Sequence, residues 1–177
     1  MNYPAFILDV HLGRLARLLR FLGFDAVYRN DFTDEQLIKQ ALGGSRIILT
    51  RDRGLLKHGG VQRGYWVRSA RVNEQVREIV HRFDLAGQLR PFTRCPLCNG
   101  SVAAVPKSEV EDRLLPGTKS EFHEFTQCRA CGKIYWKGSH CDRLRAALDL
   151  LRNSGRAGSE DEVLIPDESA RSSDSNS

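Results

Sequence analysis

The chain has 177 residues and a mass of 20.0 kDa, room for one main domain and a small module. Hydrophobic residues make up 41% and charged residues 28%, which excludes a fibrous or disordered chain, and no apolar run reaches the roughly 18–20 residues needed to cross a bilayer. Met1–Leu8 lacks a basic stretch followed by a long apolar one, so a soluble, cytoplasmic protein without a membrane partner is expected. The net charge of +5 is uneven: residues 153–177 hold two Arg against six acids, a net of −4, which leaves +9 on the first 152 residues. A basic folded body favours a polyanionic partner such as RNA, because each neutralised phosphate releases counterions.

Tyr3–Asp9 is a short apolar run ending in an acid and reads as a buried strand. His11–Leu22 has helical periodicity, with Leu12, Leu15, Leu19 and Leu22 on one stripe and Arg14, Arg17 and Arg20 on another, until Gly23 stops it. Asp25–Tyr28 reads as a second strand, and Thr33-Asp34-Glu35 offers caps for a helix over Gln36–Leu42. Arg46–Thr50, with Ile47, Ile48 and Leu49 in a row, has the continuous apolar character of a parallel strand covered on both faces. A fourth strand at Gly64–Arg68 and a helix at Asn73–Phe83 complete an α/β domain over residues 1–90, with a parallel sheet and helices on both faces.

From Pro91 onward, proline and glycine interrupt every long periodicity. Cys95-Pro96-Leu97-Cys98 and Cys128-Arg129-Ala130-Cys131 form two C-x-x-C pairs with 29 residues between them, and Cys141 is left over. Paired thiols at this spacing in an unexported chain predict a tetrahedral zinc site held by Cys95, Cys98, Cys128 and Cys131. Phe125–Gln127 and Lys133–Trp136 read as short strands flanking the second pair, and Cys141–Arg152 as a helix. The expected organisation is thus a zinc-ribbon module with a C-terminal helix over 91–152, then a disordered acidic and Ser-rich tail over 153–177.

Ligands of an open parallel sheet bind beyond the carboxyl ends of its strands. Asp9 follows the first strand, Asp52 follows the third, and Asp34 opens the second helix at the same edge. Three carboxylates converging there would repel one another unless a divalent cation joined them, and hard oxygen ligands suit magnesium or manganese. Taken singly, Asp34 also suits an N-cap and Asp52 a turn, Arg51 and Arg53 suit salt bridges on that turn, and the arginine stripe suits a solvated helix face. Three like charges at steps of three repel, however, which favours phosphate as their partner. His11 stands near Asp9, and Tyr135 and Trp136 beside the second cysteine pair suit base stacking or packing.

Phe6-Ile7-Leu8-Asp9, Leu12–Arg20 with Leu22-Gly23, Asp34-Glu35-Gln36-Leu37 and Ile48–Arg53, followed by Arg94–Asn99, Cys128–Trp136 and Gly138-Ser139-His140, closely resemble the PIN-like ribonuclease family named after the C-terminal domain of the Mut-seven exonuclease. The resemblance implies a Rossmann-like PIN sheet whose acids, here Asp9, Asp34 and Asp52, hold magnesium or manganese and cleave RNA, with a zinc ribbon aiding RNA binding. Arg14, Arg17, Arg20, Arg51 and Arg53 are then the expected RNA contacts. A further acid often found two residues beyond the third is replaced by Gly54, and Asp31 or Glu35 is the available substitute. The alternatives are a non-catalytic RNA-binding or ribosome-associated adaptor with a degraded site, and, more remotely, a redox protein using its C-x-x-C pairs.

Overall fold

The computed structural model describes residues 3–136. The expected helix at 141–152, the tail at 153–177, His140 and Cys141 lie outside them. Four parallel strands, β1 (Ala5–Leu8), β2 (Asp25–Tyr28), β3 (Ile47–Thr50) and β4 (Gly64–Trp66), form one sheet in the order β2-β1-β3-β4. Helices α1 (Gly13–Phe21) and α3 (Val72–Arg82) cover one face, and α2 (Asp34–Gly43) covers the other. The alternation of strand side chains explains the two cores. Phe6, Leu8, Ile47 and Leu49 pack with α1 and α3, whereas Ile7 and Ile48 pack with Leu37, Ile38 and Ala41 of α2. Strand β1 thus points Asp9, the next residue, towards the α2 face at the carboxyl edge. No helix among the described residues is long and apolar enough to cross a membrane.

The second half forms a three-stranded antiparallel sheet, β5 (Val102–Val105), β6 (Phe125–Cys128) and β7 (Ile134–Trp136), with a short helix, α4 (Pro116–Glu121), in the β5–β6 connection. Strand β5 was not expected, since Val102-Ala103-Ala104-Val105 carries little apolar bulk, and its pairing with β6 supplies the order instead.

The first cysteine turn is docked on the free edge of the parallel sheet. Arg20, at 4% exposure, donates from Nε to the Ala26 carbonyl of β2 (2.7 Å) and from Nη1 to the carbonyls of Pro96 (3.0 Å) and Leu97 (2.7 Å). Asn99 accepts the Ala26 N–H at Oδ1 (3.3 Å) and donates from Nδ2 to Asp25 Oδ1 (2.8 Å). Asp25 also receives a two-point contact from Arg46 (2.6 and 3.1 Å) and faces Arg94 at 3.6 Å. Burial raises the Asp25 pKa, but the hydrogen bonds from Arg46 and Asn99 outweigh it and hold the carboxyl below its usual value of 3.8. Its contribution to stability is therefore complete above the unfolded value and lost as pH falls through the lower folded one. The linker is fixed as well: Arg90 and Phe92 donate their N–H groups to Leu22 and Phe21, and Gly23, at φ +96°, leaves no room for a side chain because a Cβ would stand 2.3 Å from the Arg90 carbonyl.

Arg20 accordingly departs from the expectation that it contacts RNA. Successive residues of a helix turn by about 100°, so each step of three falls about 60° short of a full turn. Two steps rotate the stripe by about 120° and carry Arg20 from the wet side, where Arg14 and Arg17 stay exposed, into the contact with the cysteine turn. Replacing Arg20 with Ala strands three carbonyl acceptors and should cost about 3 kcal/mol or more in urea unfolding, whereas Arg17→Ala should stay within about 0.5 kcal/mol. Equal losses in the two variants would contradict this assignment.

Candidate active site and metal centre

At the carboxyl edge of the parallel sheet one hydroxyl joins two acids. Thr50, the last residue of β3 and fully buried, donates from Oγ1 to Asp9 Oδ2 (2.8 Å) and accepts the N–H of Asp52 (2.8 Å). Asp9, 7% exposed, also accepts the Val10 N–H at Oδ1 (2.5 Å), which caps the single 3-10 turn Val10–Leu12 leading into α1. Asp52 is exposed and accepts the Gly54 N–H at Oδ1 (2.6 Å). Gly54 thus offers a backbone donor to Asp52, and a Cβ there would stand 3.0 Å from Asp52 Oδ1.

Asp34 sits at the same edge but in a different role from a cap. Thr33 is the N-cap, in a reciprocal capping box with Gln36, and Asp34 is the first helical residue, exposed to solvent. Among the described residues, Asp9, Asp34 and Asp52 do not form a cluster whose ligand atoms all lie within 4.8 Å of one another. Asp31 is occupied by Arg29, which donates to both its oxygens (2.8 and 2.7 Å) and holds its carboxyl below the usual range. Glu35 is exposed. Asp9 and Asp52 offer hard oxygen donors of the kind magnesium and manganese take, and the lone pairs left by Thr50, Val10 and Gly54 remain for such an ion.

A groove of about 700 Å³ runs between the N-terminal ends of α1 and α3, lined by Arg51, the sequence neighbour of Asp52, but not by Asp9, Asp34 or Asp52 themselves. His11, Arg14, Arg51, Arg71, Asn73 and Arg77 line it. Glu74 is its one acid and is already engaged by Arg71 at 3.5 Å and by the Ser69 hydroxyl. The buried Asn73 Oδ1 has no hydrogen-bond partner. Arg14 and Arg51 therefore share one cleft, Arg17 lies outside its lining, and Arg53 stacks instead on the Trp66 ring with its guanidinium carbon 4.4 Å from the centroid. Thr50, Trp66, Arg71, Asn73 and Arg77 escaped the sequence reading. Thr50 had one signal, its place between β3 and Arg51-Asp52, while α3 approaches α1 only in the folded chain.

The second centre is built from sulfur. The ligand atoms of Cys95, Cys98, Cys128 and Cys131 all lie within 4.8 Å of one another, with Cys95–Cys131 at 3.7 Å and Cys98–Cys128 at 3.4 Å. Sulfurs around a tetrahedral zinc stand about 3.8 Å apart for zinc–sulfur bonds of about 2.3 Å, so the four thiols fit that ion. The two turns are near copies. Each leading cysteine accepts the N–H of the residue four further on (Asn99, Gly132) and donates to the carbonyl of the next one (Gly100, Lys133). Asn99 and Gly132 both have left-handed backbones, φ 68° and 71°. Burial raises the thiol pKa of Cys128, but the N–H groups of Cys131 and Ala130 pointing at its sulfur outweigh this and lower it to about 7. The Tyr135 hydroxyl meets Cys95 Sγ at 2.9 Å, which ties this side chain to the cysteine cluster. Burial and the adjoining sulfur push its own pKa up. Trp136 is exposed and tilts against Phe122.

A comparison with curated proteins and with solved structures finds no match. The family model for the Mut7-C RNAse domain matches residues 4–148, a span that takes in the parallel sheet, the acids at its carboxyl edge and all four clustered cysteines. The chain belongs to the Mut7-C RNAse domain family.

Proposed function

We propose that the chain is a metal-dependent ribonuclease that hydrolyses RNA phosphodiester bonds at the carboxyl edge of its parallel sheet, with the four cysteines holding one structural zinc. The observation that carries this reading is the Thr50 hydroxyl tying Asp9 to the Asp52 backbone beside an arginine-lined groove, in a chain of an RNAse family. Asp9 and Asp52, with Asp34 from the start of α2, are the proposed ligands of magnesium or manganese. Such an ion, when bound, supplies an activated water and withdraws charge from the phosphoryl group. Thr50 and the Val10 N–H fix the Asp9 carboxylate, so that its remaining lone pairs keep one direction without reorganisation. Arg14 and Arg51 hold the substrate phosphates in the groove, with Arg17 and Arg53 adding positive charge on either side.

One observation favours a second reading, an RNA-binding adaptor without catalysis: Asp34 is not drawn into a tight cluster with Asp9 and Asp52, and Gly54 supplies no carboxylate of the kind the family resemblance implies there. The substitution Asp9→Asn separates the two. It keeps the size of a side chain that two donors hold, so a stability loss of about 1 kcal/mol and an intact fold are expected. Manganese-dependent cleavage of an RNA oligonucleotide should fall by more than about 100-fold if Asp9 is a ligand. Unchanged cleavage in the variant rules out the site, and no cleavage by the parent with either metal favours the adaptor. In the same assay series, Arg14→Ala should make the salt dependence of RNA binding shallower by about one unit of slope, and Arg17→Ala by less.

The zinc assignment has its own test. Elemental analysis of protein purified without chelator should give about one zinc per chain, because tetrahedral four-thiolate sites hold a single ion. Gly100→Ala places a Cβ 2.7 Å from that of Ala130 and 3.0 Å from Cys128 Sγ. Zinc content should therefore drop in this variant and in Cys128→Ser, and full occupancy in Cys128→Ser would contradict the assignment.

A further inference from the structure

Trp66 is the register partner of Thr50 at the carboxyl end of β4, an outer strand of the parallel sheet. Side chains in register on neighbouring parallel strands share a face, so Trp66 lies on the side of the sheet where Thr50 meets Asp9. The adjacent Tyr65 points the other way, into the core with Phe83. Trp66 packs into neither apolar cluster and is only half-buried, so burial of a core does not explain it. What it carries is cationic: Arg53 lies over its ring at 4.4 Å, and Arg68, over Tyr65 at 6.0 Å, reaches it at 5.9 Å. Arg53 is exposed and stands one residue beyond Asp52. A guanidinium seated over an indole and exposed to solvent, as Arg53 is, has a further face to offer, and such a plane stacks nucleobases as aromatic rings do.

We propose that Trp66 and Arg53 form a base-stacking platform beside the candidate active site, where one unpaired base of the substrate strand stacks on the Arg53 guanidinium held by Trp66. The platform makes the site selective for single-stranded RNA, because a paired base within a duplex does not expose its face. The inference rests on the ribonuclease reading for its substrate and gives Arg53 a role that a mobile phosphate-contacting cation would not have. A Lys at this position keeps the charge but has no plane to stack.

The test measures binding of zinc-loaded full-length protein, without added magnesium or manganese, to a single-stranded oligouridine and to a blunt RNA duplex of the same length at several salt concentrations. Arg53→Lys and Trp66→Ala should each weaken single-strand binding by about 5- to 100-fold with an unchanged salt slope and unchanged duplex binding, and Trp66→Phe should recover most of the loss. Parent-like single-strand binding by Arg53→Lys, or equal losses on strand and duplex, overturns the platform. A second readout does not depend on how the Trp66→Ala variant folds: in a Trp136→Phe background, where Trp66 is the remaining tryptophan, the oligonucleotide should change the emission, and constant emission at saturation overturns the proposal. Loss of these signatures with Asp9-dependent cleavage intact removes the platform alone. Their presence in a protein that cleaves nothing keeps the platform and removes the ribonuclease reading.

Discussion

The buried guanidinium of Arg20 is the contact on which the arrangement of the whole described chain depends. Burial pushes its pKa down, and an isolated charge in such a place would be costly. Three backbone carbonyls on two separate segments, one in β2 and two in the first cysteine turn, compensate for lost water, and the neighbouring Cys95 and Cys98 sulfurs act in the same direction. The planar fork of an arginine reaches the two segments from two separate nitrogens, Nε and Nη1, whereas a lysine would have to reach both from one. Asn99 completes the link by pairing with β2 through Ala26 and Asp25, so an outward N–H of an edge strand is met by the first cysteine turn.

This contact gives the two sheet edges different tasks. The strand order places the cysteine turn against β2 at one edge and Trp66 on β4 at the other, with Asp9 and Thr50 on the central strands between them. The observed contacts of the first cysteine turn therefore serve the sheet: through Arg20 the turn holds α1, whose N-terminal turn carries Arg14 into the groove. Thr50 then couples the two central strand ends, so the Asp9 carboxylate and the Asp52 turn are positioned by one buried hydroxyl.

Much of this was legible from local pattern. The apolar runs at Phe6–Leu8 and Ile47–Leu49 mark strands buried on both faces, and the Leu12, Leu15 and Leu19 spacing marks α1, because both signals depend only on neighbours in sequence. The cysteine spacing announced the metal centre for the same reason. What failed needed tertiary information. The arginine stripe looked uniform along the sequence, yet helical drift separates Arg20 from Arg14 and puts it beneath a turn some 76 residues away. Strand β5 is ordered by its partner β6 rather than by its own side chains. Trp66 resembled any aromatic residue of a strand until its register with Thr50 placed it beside the acids. Asp34 was rightly placed at a helix start, but whether its carboxylate joins a ligand set depends on side-chain geometry that spacing does not encode.

The central claim is that the first cysteine turn, with the zinc proposed for it, and the parallel sheet stabilise one another through Arg20 and Asn99. Amide hydrogen exchange, compared between zinc-loaded and zinc-stripped protein, tests it directly, since exchange reports opening free energies segment by segment. Mutual stabilisation predicts that removing zinc deprotects Ala26 and the rest of β2 together with the cysteine turns. Loss of protection confined to residues 93–136, with β2 unchanged, would contradict it.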